Sequence, residues 1–136
     1  MSIELVPVPL NKLETSRHLW LPFVEAIARR DGSHVEQKLA DLYSGNVGIF
    51  LVCNTEKQKP TGLIGYAIIL RAEQRICKLT SATGRLDELR NLYPEFEQRF
   101  KRVGFNGIIA HARPGWSEDL KGWGYRLTHM EYEKDF

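Results

Sequence analysis

Residues 107–136 read GIIAHARPGWSEDLKGWGYRLTHMEYEKDF, and the pattern of this stretch suggests a fold. The apolar run Ile108–Ala112 predicts a strand, and Ser117–Lys121 predicts a short helix that Gly122–Gly124 ends. Arg126–Glu133 has an alternating pattern of side chains, which predicts a further strand. The chain therefore closes in the order strand, turn, helix, strand, and we expect this order to constrain the architecture of the whole chain.

The residues before this stretch divide into runs of helical and of extended periodicity. Two amphipathic segments between Ser16 and Ser44 predict helices, and a longer one from Gly84 contains Pro94, which should kink or split it. Strands are predicted at Ile3–Val8, Gly48–Cys53, Gly62–Leu70 and Arg75–Thr80. The order β, α, α, β, β, β, α, β, α, β predicts an α/β (α+β) fold. Its central sheet is mixed, mostly antiparallel and twisted, and about four helices flank it.

The size and composition of the chain fit one ordinary globular domain. It has 136 residues, of which 43% are hydrophobic and 26% charged, so we expect a single domain over residues 1–136. The 19 basic and 17 acidic residues give a net charge of +2, which is no strong signal for nucleic-acid binding. No apolar run is long enough to span a membrane, and the N-terminus lacks a signal-peptide pattern. We therefore expect a cytoplasmic protein.

The cysteines and histidines have no pattern typical of a metal site. Cys53 and Cys77 lie in apolar strand-like runs, so reduced, buried thiols are the favoured interpretation and a disulfide is the alternative. The four histidines and two cysteines show no metal-ligand spacing, and we expect no metal site.

The order of elements resembles that of the GNAT superfamily of acetyl-CoA-dependent acyltransferases. At residue level the resemblance begins at about Gly107, in the pattern Arg-Pro-Gly-Trp, then Leu-x-x-x-Gly-Tyr, then a charged closing segment. This pattern is similar to that of small GNAT-like proteins encoded in bacteriophage and prophage genomes. The resemblance implies transfer of an acetyl group from acetyl-CoA to an amine acceptor. For a phage-encoded protein it implies the host cytoplasm or the virion as the location.

The resemblance also implies a pyrophosphate cradle at the turn before the long helix, where family members carry Arg/Gln-x-x-Gly-x-Gly/Ala. Glycine lets backbone N–H groups approach the phosphates, and the helix N-terminus adds partial positive charge. This chain has one of the two glycines at the corresponding residues, which are Ser81, Ala82, Thr83, Gly84, Arg85 and Leu86. Arg85 adds a charge and Thr83 a hydroxyl group. The alternative interpretation is a plain turn that caps the helix.

The candidate catalytic groups depart from the family pattern. The resemblance implies a tyrosine on the short helix that protonates the departing thiolate, but Leu120 stands at that position when Gly124-Tyr125 is aligned with the family's Gly-Phe. Tyr125 is the candidate donor instead, with core packing as its alternative role, and water could also serve. His111 is the candidate titrating group, because the resemblance places its strand beside the acyl site. Its alternative role is a strand histidine bonded to backbone.

The turn Arg-Pro-Gly-Trp places Arg113 and Trp116 close together in the chain. Arginine and tryptophan are enriched at interface hot spots, so the pair is a candidate partner-binding site. In the alternative interpretation, Trp116 caps the core and Arg113 stacks on it. Two functions stay open. One is an acetyl-CoA-dependent N-acyltransferase. The other is a catalytically degenerate GNAT-fold phage protein that acts as a structural, virion-associated or host-interaction module.

Overall fold

The computed structural model describes residues 3–112, 114–128 and 131–136. These residues contain a five-stranded sheet and four α-helices. The strands are β1 (Ile3–Pro7), β2 (Gly48–Asn54), β3 (Lys59–Arg71), β4 (Gln74–Thr83) and β5 (Gly107–Ala110). The helices are α1 (Arg17–Asp31), α2 (Val35–Tyr43), α3 (Leu86–Arg102) and α4 (Ser117–Gly122), and 3-10 turns lie at Leu10–Lys12 and Pro114–Trp116.

The five strands lie side by side in chain order, β1-β2-β3-β4-β5. The first four strands pair antiparallel with one another, whereas β4 and β5 are parallel. A parallel pair needs a crossover connection, and α3 supplies it. The mixed, mostly antiparallel sheet that the sequence predicts is therefore confirmed.

β2 is apolar from Gly48 to Cys53, and helices cover both faces of the sheet there. Ile49 and Leu51 lie in one core cluster with Trp20 of α1. Phe50 and Val52 lie in a second core cluster, which is completed by apolar residues of α3. Successive residues of a strand point to opposite faces, so a strand between two helical layers needs apolar side chains at successive positions.

Three predicted boundaries differ in the structure. α3 continues through Pro94 as one helix, so the predicted split is not found. Ser81–Thr83 were predicted as a loop, but they are the last residues of β4. The strand predicted at Arg126–Glu133 is wrong for residues 126–128 and 131–133, which have no regular secondary structure, while residues 129–130 lie outside the described residues. These residues are exposed, so the alternating pattern has no apolar face to bury.

Two further observations concern the described residues as a whole. No helix among them is long and apolar enough to cross a membrane. The same residues contain no group of three or more His, Cys, Asp or Glu side chains that could hold a metal ion.

Candidate functional site

β4 is longer than its parallel partner β5, and the difference leaves part of its edge open. β5 pairs with Ile76–Leu79, whereas β4 continues through Thr80–Thr83 while pairing with β3 on its other side. Within the described part of the chain, no strand pairs with this second edge of Thr80–Thr83. Backbone N–H and C=O groups along an open edge can pair with an extended ligand as they would with another strand.

A β-bulge lies at the start of this open segment. Gly65 of β3 pairs with Ser81 and the next residue, Tyr66, pairs with Leu79, so Thr80 is an extra residue in β4. A Cβ atom built on Gly65 would lie 2.6 Å from Ser81 Oγ and 2.8 Å from Thr80 Oγ1. Consecutive residues of a regular strand point to opposite faces, so the bulge is what brings these two hydroxyl groups to the same face.

Gly84 turns the chain from β4 into α3. Its φ angle is 137°, a backbone conformation that residues with a side chain rarely adopt. A Cβ atom at this position would lie 3.0 Å from the Cα of Gly62 and 3.2 Å from the carbonyl oxygen of Thr61. The fold alone therefore requires glycine here, and Gly84 by itself does not indicate phosphate binding.

The N-terminus of α3 carries mixed charge. Arg85 is the N-cap residue without a side-chain capping bond, and its guanidinium lies 3.3 Å from the Asp87 carboxylate. Desolvation would raise the pKa of Asp87, but the Arg85 guanidinium and the backbone N–H groups of Asp87 and Glu88 together lower it. An anionic ligand at this helix end would compete with the Asp87 carboxylate for the same donors.

Glu88 is a buried carboxylate in the first turn of α3, with an exposure of 4%. It accepts a hydrogen bond from the Thr61 hydroxyl at 2.8 Å and another from the Asn54 side-chain amide at 3.3 Å. Buried carboxylates need such partners. These bonds tie the connection between β2 and β3 to the start of α3, so we assign Glu88 a structural role.

Arg30 is a candidate that sequence reasoning missed, because its position at the end of a helix suggests a solvated charge. Its guanidinium donates to the carbonyl oxygen of Ala82 at 3.0 Å. The contact fixes a positive charge beside the last residues of β4. The two residues are 52 positions apart in the chain, so no local pattern could have indicated it.

A cavity of about 150 Å³ lies between α1, α2 and the sheet, next to the bulge. Thr80 and Ser81 form part of its wall, and aliphatic side chains form most of the remainder. Its charged lining residues are Lys38 and Asp41 of α2. The open edge of β4 and the cavity share the two bulge residues, so these two features are contiguous.

Gly124 and Tyr125 end α4 in a Schellman motif. The Tyr125 N–H donates to the Leu120 carbonyl at 2.9 Å, the Gly124 N–H donates to the Lys121 carbonyl at 3.0 Å, and the φ angle of Gly124 is 91°. This turn brings the Tyr125 hydroxyl to 2.7 Å from the Tyr93 hydroxyl of α3. Burial raises the pKa of Tyr93 to about 12 and that of Tyr125 far above its usual range. Both phenols therefore stay protonated at neutral pH.

The structure places the remaining predicted site residues in different surroundings. Ala110 pairs with Leu79, so His111 and Thr80 are the first residues beyond the last pair of β5 and β4. His111 is exposed and follows β5, whereas the sequence predicted it within that strand.

Trp116 is half-buried, with its ring centroid 6.3 Å from that of Trp123. Arg113 lies outside the described residues.

Comparison with known proteins supports the fold. No protein-family model matches the chain, and no curated protein matches it. Ribosomal-protein-alanine N-acetyltransferase from Brucella melitensis biovar Abortus 2308 has a TM-score of 0.71 at 9% identity, covering 99% of this chain and 100% of that chain. Glucosamine-6-phosphate N-acetyltransferase from Arabidopsis thaliana has a TM-score of 0.66 at 10% identity, covering 100% and 99%. An acetyltransferase from Trypanosoma brucei has a TM-score of 0.64 at 9% identity, covering 99% and 100%. The chain thus has the fold of the GNAT acetyltransferases, as its sequence predicts.

Proposed function

We propose that this protein is an acetyl-CoA-dependent N-acyltransferase that transfers an acetyl group to an amine acceptor in the cytoplasm. The observation that carries the proposal is the open edge of β4 at Thr80–Thr83, which leads into the N-terminus of α3. The amide groups of an extended pantetheine arm can pair with such an edge, and a helix N-terminus favours a phosphate group. Similarity in fold to solved acetyltransferases supports the same function.

Two parts of coenzyme A have residues that would hold them. Ser81 would offer backbone groups to the pantetheine arm beside Ala82, whose carbonyl already accepts from Arg30, and the turn Thr83–Leu86 would face the pyrophosphate. Arg85 and Arg30 would add positive charge, although Arg85 is paired with Asp87 in the structure. When bound, acetyl-CoA supplies the thioester whose acetyl group is transferred. The strand edge therefore fits the pantetheine arm. At the start of α3, binding of the pyrophosphate would require Arg85 to leave Asp87.

Catalysis would rest mainly on holding the thioester and the amine together, which can contribute several orders of magnitude in rate. Tyr125 is the proposed proton donor to the departing thiolate, because a phenol is protonated at neutral pH. His111 is the proposed acceptor for a proton of the amine, since it follows the last residue pair of β5 and β4. Leu120, at the family's usual donor position, contributes no proton.

Binding of acetyl-CoA to the purified protein is the decisive test. Calorimetry should show saturable binding, and ligand at 1,000 times Kd should raise the free energy of unfolding by about 4 kcal/mol. Release of the coenzyme A thiol in the presence of amines then measures transfer. Absence of both heat and stabilisation at millimolar acetyl-CoA would refute the proposal.

A second candidate function is a module without catalysis that binds a phage or host protein. The mixed charge at the start of α3 favours it, because Asp87 places an exposed carboxylate in the first turn, where a phosphate would bind. Trp116 and Arg113 would then be the partner-binding pair. Failure to bind acetyl-CoA, together with capture of a partner that Trp116→Ala abolishes in a folded variant, would favour this function over the enzyme.

A further inference from the structure

The cavity beside the bulge has mainly aliphatic walls, which favour an apolar ligand. Six aliphatic side chains line it: Val24, Ile27, Leu42, Val47, Ile49 and Leu63. Its volume of about 150 Å³ matches that of an apolar protein cavity known to hold a benzene-sized group. The walls therefore suit a compact hydrocarbon body of about six heavy atoms.

The charged groups of the cavity favour a cation. The Lys38 ammonium lies 3.2 Å from the Asp31 carboxylate, so its charge is already paired. Asp41 accepts a hydrogen bond from the Gln37 side-chain amide at 3.4 Å, which is long for such a bond. A carboxylate beside a mainly aliphatic cavity attracts an ammonium group, whose charge it can neutralise.

The cavity also has a polar floor that connects it to the open edge of β4. The hydroxyl groups of Thr80 and Ser81 converge above Gly65, and both residues line the cavity. These residues also begin the edge along which the acyl donor is proposed to lie. A ligand in the cavity would therefore be next to the end of the donor.

We propose that this cavity is the acceptor site and that it takes a small primary alkylamine, with its apolar body among the aliphatic walls and its ammonium at Asp41. This inference rests on the proposed acyltransferase function. Before attack the ammonium loses one proton to His111. The nitrogen then forms the amide C–N bond as the thioester C–S bond breaks. Tyr125 protonates the departing thiolate to give the coenzyme A thiol, and the second amine proton passes through solvent to restore the Tyr125 phenol.

Direct binding tests the ligand class without acetyl-CoA. The probe is 3-methylbutylamine, which has a compact branched body and one ammonium group, and calorimetry measures its Kd. Its neutral counterpart 3-methylbutan-1-ol and its zwitterionic counterpart leucine are the matched ligands. We expect saturable binding of the amine that is about tenfold tighter than that of either counterpart. Equal binding of the alcohol, tighter binding of leucine, or no saturable binding of the amine overturns the inference.

Two variants of α2 test the role of Asp41. Asp41→Asn should weaken amine binding about tenfold while leaving acetyl-CoA affinity unchanged. Glu36→Gln makes the same chemical change at an exposed residue of the same helix and should leave both affinities unchanged. Amine binding that Asp41→Asn leaves intact overturns the inference.

The acceptor role and the acyltransferase function fail in distinguishable ways. Acetyl-CoA binding without amine binding refutes the cavity assignment and leaves the proposed function in place. Amine binding without acetyl-CoA binding refutes the proposed function and, with it, the acceptor role. Binding of both ligands with amine-dependent thiol release that Asp41→Asn reduces supports both.

Discussion

Gly62 of β3 and Gly84 of the turn after β4 pack backbone against backbone. A Cβ atom on Gly62 would lie 2.5 Å from the carbonyl oxygen of Thr83, and one on Gly84 would lie 3.0 Å from the Cα of Gly62. Gly84, the one glycine in the proposed phosphate cradle, is therefore needed to bring β4 and α3 close to β3. These backbone contacts explain the glycine without any ligand.

Replacement of this glycine should destabilise the protein whether or not a ligand is present. Gly84→Ala introduces a Cβ at a φ of 137° and against the backbone of β3, so we expect a loss of about 1–3 kcal/mol in the free energy of unfolding. Urea denaturation without ligand measures it. Gly122→Ala is the control, because a Cβ there has no neighbour within 4 Å. Equal stability of the two variants would contradict the packing explanation.

Charge reversal at the start of α3 should weaken acetyl-CoA binding. Arg85→Glu replaces an exposed guanidinium beside the proposed pyrophosphate position by a carboxylate, and we expect about a tenfold rise in Kd by calorimetry. Arg102→Glu makes the same change at the other end of α3 and should leave Kd unchanged. Similar effects of both variants would show that overall charge, and not this position, controls binding.

Removal of the competing carboxylate should strengthen the same binding. Asp87 pairs with Arg85 and lies at the N-terminus of α3, so Asp87→Asn frees the guanidinium and removes a like charge from the phosphate. We expect a several-fold lower Kd for acetyl-CoA, at low ionic strength above all. A higher Kd in this variant would place the pyrophosphate elsewhere.

The hydrogen bond between Tyr93 and Tyr125 should appear as an energetic coupling. Each single Tyr→Phe change should cost about 1 kcal/mol in the free energy of unfolding, because it leaves one half-buried hydroxyl without this partner. The double variant should cost less than the sum of the two. Additive costs would mean that the hydrogen bond contributes nothing measurable.

The same two variants separate packing from proton donation. If Tyr125 protonates the thiolate, Tyr125→Phe lowers kcat by about a hundredfold or more, and Tyr93→Phe lowers it much less. Equal kcat values would assign both phenols to packing between α3 and the end of α4.

Alkaline pH should destabilise the protein through Cys77. Burial raises the pKa of its thiol from 9.0 to about 12, so between these values the unfolded chain ionises while the folded chain does not. The contribution of Cys77 is thus complete below pH 9.0 and is lost as the pH rises toward 12. Urea denaturation across this range should show a shallower decline for Cys77→Ala than for the parent protein. Cys53→Ala, at a less buried thiol, should decline nearly as steeply as the parent.

The fold was predictable where one residue pattern determines the structure on its own. Gly48–Cys53 is a continuous apolar run, so burial of β2 on both faces followed from the sequence. The prediction of a closing strand was wrong at residues 126–128 and 131–133. An alternating pattern fits either a strand or an exposed segment, and the presence of a neighbouring strand edge decides between them. The predicted end of β4 was wrong for a similar reason. Ser81–Thr83 belong to the strand only because β3 pairs with them.

Of the candidate site, the sequence predicted the turn before α3 but not the side chains that surround it. The sequence located the turn between β4 and α3 through Gly84 and the helix that follows. It missed Arg30, which contacts Ala82, and Asp41, which lines the same cavity as Thr80, because these partners come from a distant strand. Side chains that meet across a sheet leave no local spacing to recognise, so they appear only when the register is known.

The extra residue in β4 has a consequence for how such proteins diversify. In a regular strand, Ser81 would share the face of Leu79 and point toward α3. The bulge at Thr80 turns Ser81 toward α1 and α2 instead. Loss of Thr80 would keep the pairing on both sides and remove one of the two hydroxyl groups, whereas an insertion elsewhere in β4 would reverse the faces of all later residues. Length changes of one codon can therefore alter which ligand is recognised while the architecture persists, and alignments that score residue types at fixed positions would not reveal the change.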